Sequence, residues 1–349
     1  MPAPHEVMAG WLKRQAVRCA NLGSPFYSTL LESAAADDSG ATAEALAGFE
    51  TEQEYAVVPL RLMGAVHRLV LEGRVPTLER HYPSVGGDGD ASAAWPPFRE
   101  ALLEHRQEIR RLVAHGCQTN EVGRSAALLG GFLEVAHRTG LPLRILEIGA
   151  SAGLNLRWDR YRYEAGKADE MDGDPGGAGW GDENSAVRFV HFFDVAPPLG
   201  RAAEVVERRG CDLEPIDPTT DEGALSLRAF IWADQLGRLS RLDGAISIAR
   251  EVPAEVERLD AATFLERELA APRHGMATVV FHSAFMKYVT GDQQKRIRRA
   301  IDSASPYYLR LEPYQDYLQQ EPDEFTFEIR LGDELLGTSQ AHGAGVRWF

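Results

Sequence analysis

Cysteine is scarce in this chain: Cys19, Cys117 and Cys211 are the only three in 349 residues. They lie far apart, with neither Cys-x-x-Cys spacing nor a neighbouring histidine pair, so no disulfide framework and no zinc site is expected, and a reduced cytoplasmic setting fits. His5, His67, His81, His105, His115, His137 and His274 likewise show no ligand-like spacing. Basic charge is also short, with 37 Lys and Arg against 52 Asp and Glu and a formal net charge of −15. A broad basic surface, the usual source of affinity for nucleic-acid phosphates, is therefore not expected. Long apolar runs are missing too, since no stretch approaches the roughly 18 to 20 residues that span a bilayer. Near the start, Trp11, Leu12, Val17 and Cys19 alternate with Lys13, Arg14 and Arg18, which is helical patterning rather than a signal-peptide core. These absences lead to the expectation of a soluble, cytoplasmic protein whose partner is a small molecule, not nucleic acid or membrane. They leave the oligomeric state open.

What is present is enough apolar residue, 44% of the chain, to build one large core or two modest ones. From about residue 5 to 140 the spacing is helical: Leu60, Met63, Val66, His67, Val70 and Leu71 recur at intervals of three to four, as do Leu102, Leu103, Ile109, Leu112 and Val113. The breaker-rich stretch from Tyr82 through Pro97 reads as a surface loop between helices, and a poor site for chemistry. After Pro142 short apolar runs alternate with helical patterns, the mark of βαβ units and a mainly parallel sheet. The expected division is thus an α-helical domain over 1–140 and an α/β domain over 141–349, with an insertion around 163–193. The sheet should be mixed, with helices on both faces and an antiparallel last strand.

Expected strands are Leu143 to Ile148, one ending in Arg208 to Pro215, Val256 to Ala261, Ala277 to His282, Tyr307 to Glu312, Glu324 to Arg330, and the tail Gly343 to Phe349. The last two, joined without a helix-length connection, should pair antiparallel. Within the insertion, Asp172 to Gly179 is loop-like, while Tyr161 to Tyr163 and Val187 to Phe193 suggest a hairpin.

The most informative stretch runs from Arg144 to Asn155, where an apolar strand ends in an acid and enters a glycine turn. Gly149 allows a positive φ, Gly153 lets a following helix sit close to the sheet, and backbone N–H groups near the helix start face a ligand. In the dinucleotide fingerprint the ribose-binding acid follows the turn by roughly 20 residues, whereas Glu147 precedes it, which favours S-adenosylmethionine over NAD. A nucleoside cofactor across a parallel sheet also needs an acid after the second strand and polar groups after the third. Asp212 suits the ribose hydroxyls, the alternative being a helix cap or a solvated acid. Asp194 competes for that role if its segment is the second strand. Asp260 and the N–H of Ala261 suit the adenine, or Asp260 caps the following helix.

The order Glu-x-Gly-x-x-x-Gly, Gly-x-Asp-x-x-Pro, Asp-Ala and Val-Val-Phe-His-Ser resembles the motif series of class I S-adenosylmethionine-dependent methyltransferases. More narrowly, Gly149 to Leu156 with Trp158 to Tyr161, and Thr119 to Glu121 with Arg124, resemble an uncharacterised bacterial domain-of-unknown-function family (DUF2332) with such a core. The resemblance spans nearly the whole chain. It implies a Rossmann-like methyltransferase sheet, with S-adenosylmethionine held by Glu147, Gly149, Ala150, Ser151, Gly153, Asn155, Asp212, Asp260 and Ala261. His282 and Ser283 at a strand tip would orient the acceptor or take its proton, and Tyr288 would face it or simply pack. Asn120, Glu121 and Arg124 would line the substrate side, Arg124 gripping a carboxylate; they also suit an ordinary helix start. Asp159 and Arg160 would close over a ligand or pair with each other.

The chain departs from the methyltransferase pattern at Ser151, where a glycine is usual. Ser151 also makes Gly149-Ala150-Ser151-Ala152-Gly153 read Gly-x-Ser-x-Gly, the nucleophile elbow of a serine hydrolase. Two alternatives to methyl transfer follow: a non-catalytic nucleotide-binding module, and a hydrolase with Ser151 as nucleophile.

Overall fold

The computed structural model describes residues 4–52, 57–116, 119–166, 179–314 and 326–349. The chain forms two compact units, one of residues 1–119 with 221–240 and the other of 120–220 with 241–349. The second unit starts some twenty residues before the boundary near 140 that periodicity suggests, because helix 124–139 packs on the sheet rather than on the N-terminal helices.

The first unit contains α1 (Pro4–Asn21), α2 (Pro25–Ala35), α3 (Ala41–Leu46), α4 (Val58–Leu71), α5 (Pro76–Glu79), α6 (Ala91–Glu104), α7 (Arg106–Ala114) and α9 (Asp221–Ala229); the last is numbered after α8 (Arg124–Thr139) of the second unit. Its core joins Leu12, Phe26, Leu30, Leu62, Val66, Phe98, Leu102 and Trp232. Ser24 caps α2, and the Asp234 carboxylate accepts from the Ser24 hydroxyl at 2.5 Å and the Phe26 amide at 3.0 Å, so segment 221–240 is tied in by charge-assisted bonds. The expected loop through Pro97 ends sooner: Asp90 accepts from the Ala93 amide at 2.9 Å and starts α6 at Ala91, taking Pro96 and Pro97 into the helix.

In the second unit β1 (Leu143–Ile148), β2 (Arg162–Glu164), β3 (Gly179–Trp180), β4 (Arg188–Phe189), β5 (Phe193–Val195), β6 (Val205–Asp212), β7 (Glu255–Arg258), β8 (Ala277–Ser283), β9 (Tyr307–Pro313), β10 (Thr326–Leu331), β11 (Glu334–Gln340) and β12 (Val346–Trp348) form two sheets. The large one has the order β5-β12-β11-β10-β9-β8-β1-β6-β7 and the small one β3-β2-β4. Strands β7, β6, β1, β8 and β9 are mutually parallel. Every residue of β1 is buried, as a strand covered on both faces must be.

α8 lies on one face, where a Cβ at Gly131 would collide with Leu309, so the helix meets the sheet at backbone distance. α11 (Ala261–Glu268) and α12 (Gly291–Ala304) pack together with Leu146, Ile148 and Val280 on the other face. α10 (Leu236–Glu251) runs across the division at 240/241. No described helix is long and apolar enough to cross a membrane.

Two expectations about the strands change. The segments 161–163 and 187–193 do not form a hairpin, because β2 pairs with β4 in parallel and with β3 antiparallel. The loop 172–179 lies almost wholly outside the described residues. The tail strand β12 does not pair with β10; β11, reached through the two-residue turn Gly332-Asp333, lies between them and pairs antiparallel with both. Glu324 and Phe325 lie outside the described residues.

Candidate functional site

The parallel order itself selects a place on the sheet. From β1 the chain moves outward to β6 and β7, then crosses back to β8 and β9 on the other side of β1. The connections therefore diverge above β1 and β8, the point at which open α/β sheets form a ligand crevice outside the carboxyl ends of their strands. Asp212 ends β6, the strand beside β1, whereas Asp194 sits on β5 at the far edge of the sheet. Asp212 is thus the acid of the second strand position, and Asp194 is not.

The turn after β1 has Gly149 at φ +69°, Ser151 at +52° and Gly153 at +65°. It is stitched to the end of β6: the Ala150 amide donates to Cys211 O at 3.0 Å and the Ser151 amide to Asp212 Oδ2 at 2.9 Å. Asp212 Oδ1 accepts from the Glu214 amide at 2.9 Å. On the α8 side, Asn120 Oδ1 accepts from the Leu154 amide at 2.7 Å, and Asn155 accepts from the Ser125 hydroxyl at 2.7 Å while donating to Glu121 O. Glu121 Oε1 accepts from the Gly123 amide. The Arg124 Nε donates to Ala341 O. Asn120, Glu121 and Asn155 are therefore collected beside the turn: Asn120 holds its backbone, while Asn155 and Glu121 bind the segment that leads into α8.

Glu147 is the exception within this polar cluster. It is 2% exposed, and its Oε2 has no hydrogen-bond partner. Burial and the nearby Asp212 charge push its carboxyl well above the ordinary range, against the opposing pull of Arg157 and Arg124. Such a group binds its proton more tightly folded than unfolded. Its contribution to stability is full below the unfolded pKa, near 4.5, and is lost as pH rises through the folded value. Glu147→Gln should therefore weaken the pH dependence of stability, gaining relative to wild type between pH 5 and pH 8 in urea titrations. Equal slopes in the two proteins would show that Glu147 is solvated.

Arg157, 3% exposed, supports the turn from below by donating to Gly153 O and Val252 O, both at 2.7 Å. Asp159 is not at the turn; it takes a two-point ion pair from Arg208 at 2.6 and 3.1 Å, with Arg160 at 3.2 Å. The Leu259 amide donates to Asp212 O, which places Asp260 beside the end of β6. There Asp260 caps α11, accepting from the Thr263 amide at 3.0 Å ahead of Ala261, the first helical residue.

At the tip of β8, His282 is fully buried and both ring nitrogens are engaged, Nδ1 with Glu312 Oε1 at 2.7 Å and Nε2 with the Tyr308 hydroxyl at 2.8 Å. Since the carboxylate only accepts, Nδ1 donates to it. Ser283 follows at half-buried depth, and Tyr288 is exposed and packs against Lys287. Among the described residues, the serine hydroxyl found on a histidine nitrogen is not that of Ser151 but of Ser84, 2.8 Å from Nε2 of His67 in the first unit. Burial pushes that imidazole down to about 4, and its Nδ1 donates to Ala229 O, so the pair fastens the 83–85 turn to α4.

Glu312, Phe285, Ser125 and Arg157 had not been singled out from the sequence. Glu312 carried a signal, an acid ending an apolar strand like Glu147 and Asp212. Phe285 carried none.

The fold and this crevice define an α/β protein with a large mixed sheet, parallel at its centre, and a glycine turn at its switch point. The chain belongs to the family DUF2332, described as an uncharacterized protein conserved in bacteria, whose model matches residues 9–348. No curated protein and no solved structure matches it.

Proposed function

We propose that the protein is an S-adenosylmethionine-dependent methyltransferase acting on a small-molecule acceptor. The observation that carries this reading is the switch point: the left-handed Gly149–Gly153 turn at the tip of β1, with a buried, partly unpartnered acid before it and Asp212 beside it. The sheet order β7-β6-β1-β8-β9, followed by antiparallel β10, fits a class I methyltransferase core. The 3-10 segment Leu154–Arg160 after β1, in place of a full α-helix, is a departure from that pattern.

The residues present suit such a cofactor. Glu147 leaves one buried carboxyl oxygen without a partner, able in its protonated form to donate or accept, and each Asp212 oxygen accepts from one backbone amide, leaving lone pairs for ribose hydroxyls. When bound, the cofactor would supply an electrophilic methyl group on a sulfonium. The protein's part is to hold the donor and acceptor in line, for which orientation counts for more than acid-base work. With both nitrogens of His282 engaged, its role is to shape the acceptor side, not to meet the acceptor directly.

The test is thermal stability with S-adenosylmethionine, S-adenosylhomocysteine, NAD and ATP. A site-bound ligand at about 100 times Kd adds roughly 2.7 kcal/mol. The first two should stabilise the protein and Asp212→Ala should abolish the effect; no shift with either at millimolar concentration removes the reading. A hydrolase has one observation in its favour, the left-handed Ser151. A fluorophosphonate adduct mapped to Ser151 would put that reading in place of methyl transfer.

A further inference from the structure

Beyond the Ala284 amide, which donates to Leu311 O, and Gln294, which donates to Met286 O and Val289 O, donors at and after the tip of β8 converge on one carboxylate oxygen. Glu312 Oε1, at the end of β9, accepts from the Phe285 amide at 2.8 Å, the Met286 amide at 3.1 Å and His282 Nδ1 at 2.7 Å. The two consecutive amides face it because Ala284 is left-handed at φ +51° and Phe285 right-handed at φ −107°, an alternation that forms an anion-binding nest of backbone N–H groups. A β-carbon residue in the left-handed region is strained, and a carboxylate taking three donors offsets that strain. Burial works against the charge of Glu312, but the His282, Phe285 and Met286 hydrogen bonds outweigh it and hold the carboxyl below its ordinary range.

The nest has a consequence at the turn. It sets the Phe285 ring directly over Gly149, close enough that a Cβ there would collide with it. Gly149 thus meets a protein ring, and the backbone amide of that ring's residue is bound by Glu312. The two strained tips, Ser151 after β1 and Ala284 after β8, face the same switch point.

We propose that Glu312 is a positioning residue of the cofactor site: it holds the 284–286 nest and, through it, Phe285 as the wall of the crevice over the glycine turn. The proposal rests on the methyltransferase reading for the identity of the ligand, but not for the positioning itself. Removal of the carboxylate should free the nest and cost affinity through lost pre-organisation.

Two measurements separate these levels. Hydrogen exchange of the unliganded protein should show Phe285 and Met286 amides exchanging at least about tenfold faster in Glu312→Ala, with substantial rescue by Glu312→Gln, whose amide oxygen still accepts. Unchanged exchange in Glu312→Ala overturns the proposal whatever the ligand. Calorimetric titration with S-adenosylhomocysteine then forms a double-mutant cycle with Phe285→Ala. Glu312→Ala should weaken binding about tenfold when Phe285 is present and less than about twofold when it is not, because the effect travels through the ring. Equal weakening in both backgrounds refutes the wall. Failure of the wild type to bind S-adenosylhomocysteine at millimolar concentration refutes the cofactor reading and the proposed affinity effect, while the exchange result decides the positioning.

Discussion

Arg144→Ala should lose about 3 to 5 kcal/mol of folding free energy, the range for breaking a buried ion pair from one side. Arg144 is 1% exposed on β1, where its Nε donates to Glu207 at 2.8 Å and its Nη2 forms a short bond to Glu268, itself 8% exposed on α11. Removal of the guanidinium leaves the buried Glu268 Oε2 without its donor, while Arg267 at 2.8 and 3.1 Å and Arg209 at 3.8 Å still face Oε1. The Arg144→Met, Glu268→Leu double variant removes both charges and should recover more than half of the loss, since paired apolar replacement of a buried bridge is often close to neutral. Denaturant titrations of the three proteins at pH 7 decide the matter. A loss below about 1 kcal/mol for Arg144→Ala would mean that water reaches the pair, as at an exposed bridge.

Gly149→Ala should cost about 2 to 5 kcal/mol through two separable contributions. One is the left-handed backbone at φ +69°, worth about 1 to 2 kcal/mol for a residue with a β-carbon. The other is the overlap with the Phe285 ring, an overpacking term of about 1 to 3 kcal/mol. In a Phe285→Ala background the second term disappears and the first stays, so Gly149→Ala should cost about 1 to 2 kcal/mol there. The same cost in both backgrounds would show that the ring yields freely, and a cost below about 0.5 kcal/mol in wild type would mean that the turn has no fixed geometry.

Much of the central sheet could be read from the chain, because β1 and β8 are short apolar runs bounded by breakers and their burial on both faces leaves no polar alternation. β11 could not. Its Leu335-Leu336-Gly337 core carries an interior glycine and lies between the Gly332-Asp333 turn and polar Thr338 to Gln340, so local pattern gave way to pairing with strands on both sides. The hairpin assigned to 161–163 and 187–193 failed for a related reason: β-propensity marks a segment as strand but says nothing of the direction of its partner.

At the crevice the division is sharper. The acid-then-glycine order fixed where a turn must be, since only certain residues accept a positive φ and an apolar strand cannot end in water without polar groups. That Asp212 and not Asp194 lies beside β1 depended on strand order, which is set by packing over many residues. That Glu147 keeps one oxygen unpartnered, that His282 is closed on both sides, and that Glu312 holds Phe285 over Gly149 were decided by the tertiary structure alone. Glu312 stands 30 residues beyond His282 in the chain, yet parallel pairing of β8 with β9 brings their tips together. Residue types and their spacing therefore determined the strand tips and the glycine turn, because these follow from backbone sterics and local burial. The partners across the crevice followed only from the sheet, because hydrogen bonds between distant strands are specified by register, not by sequence neighbours.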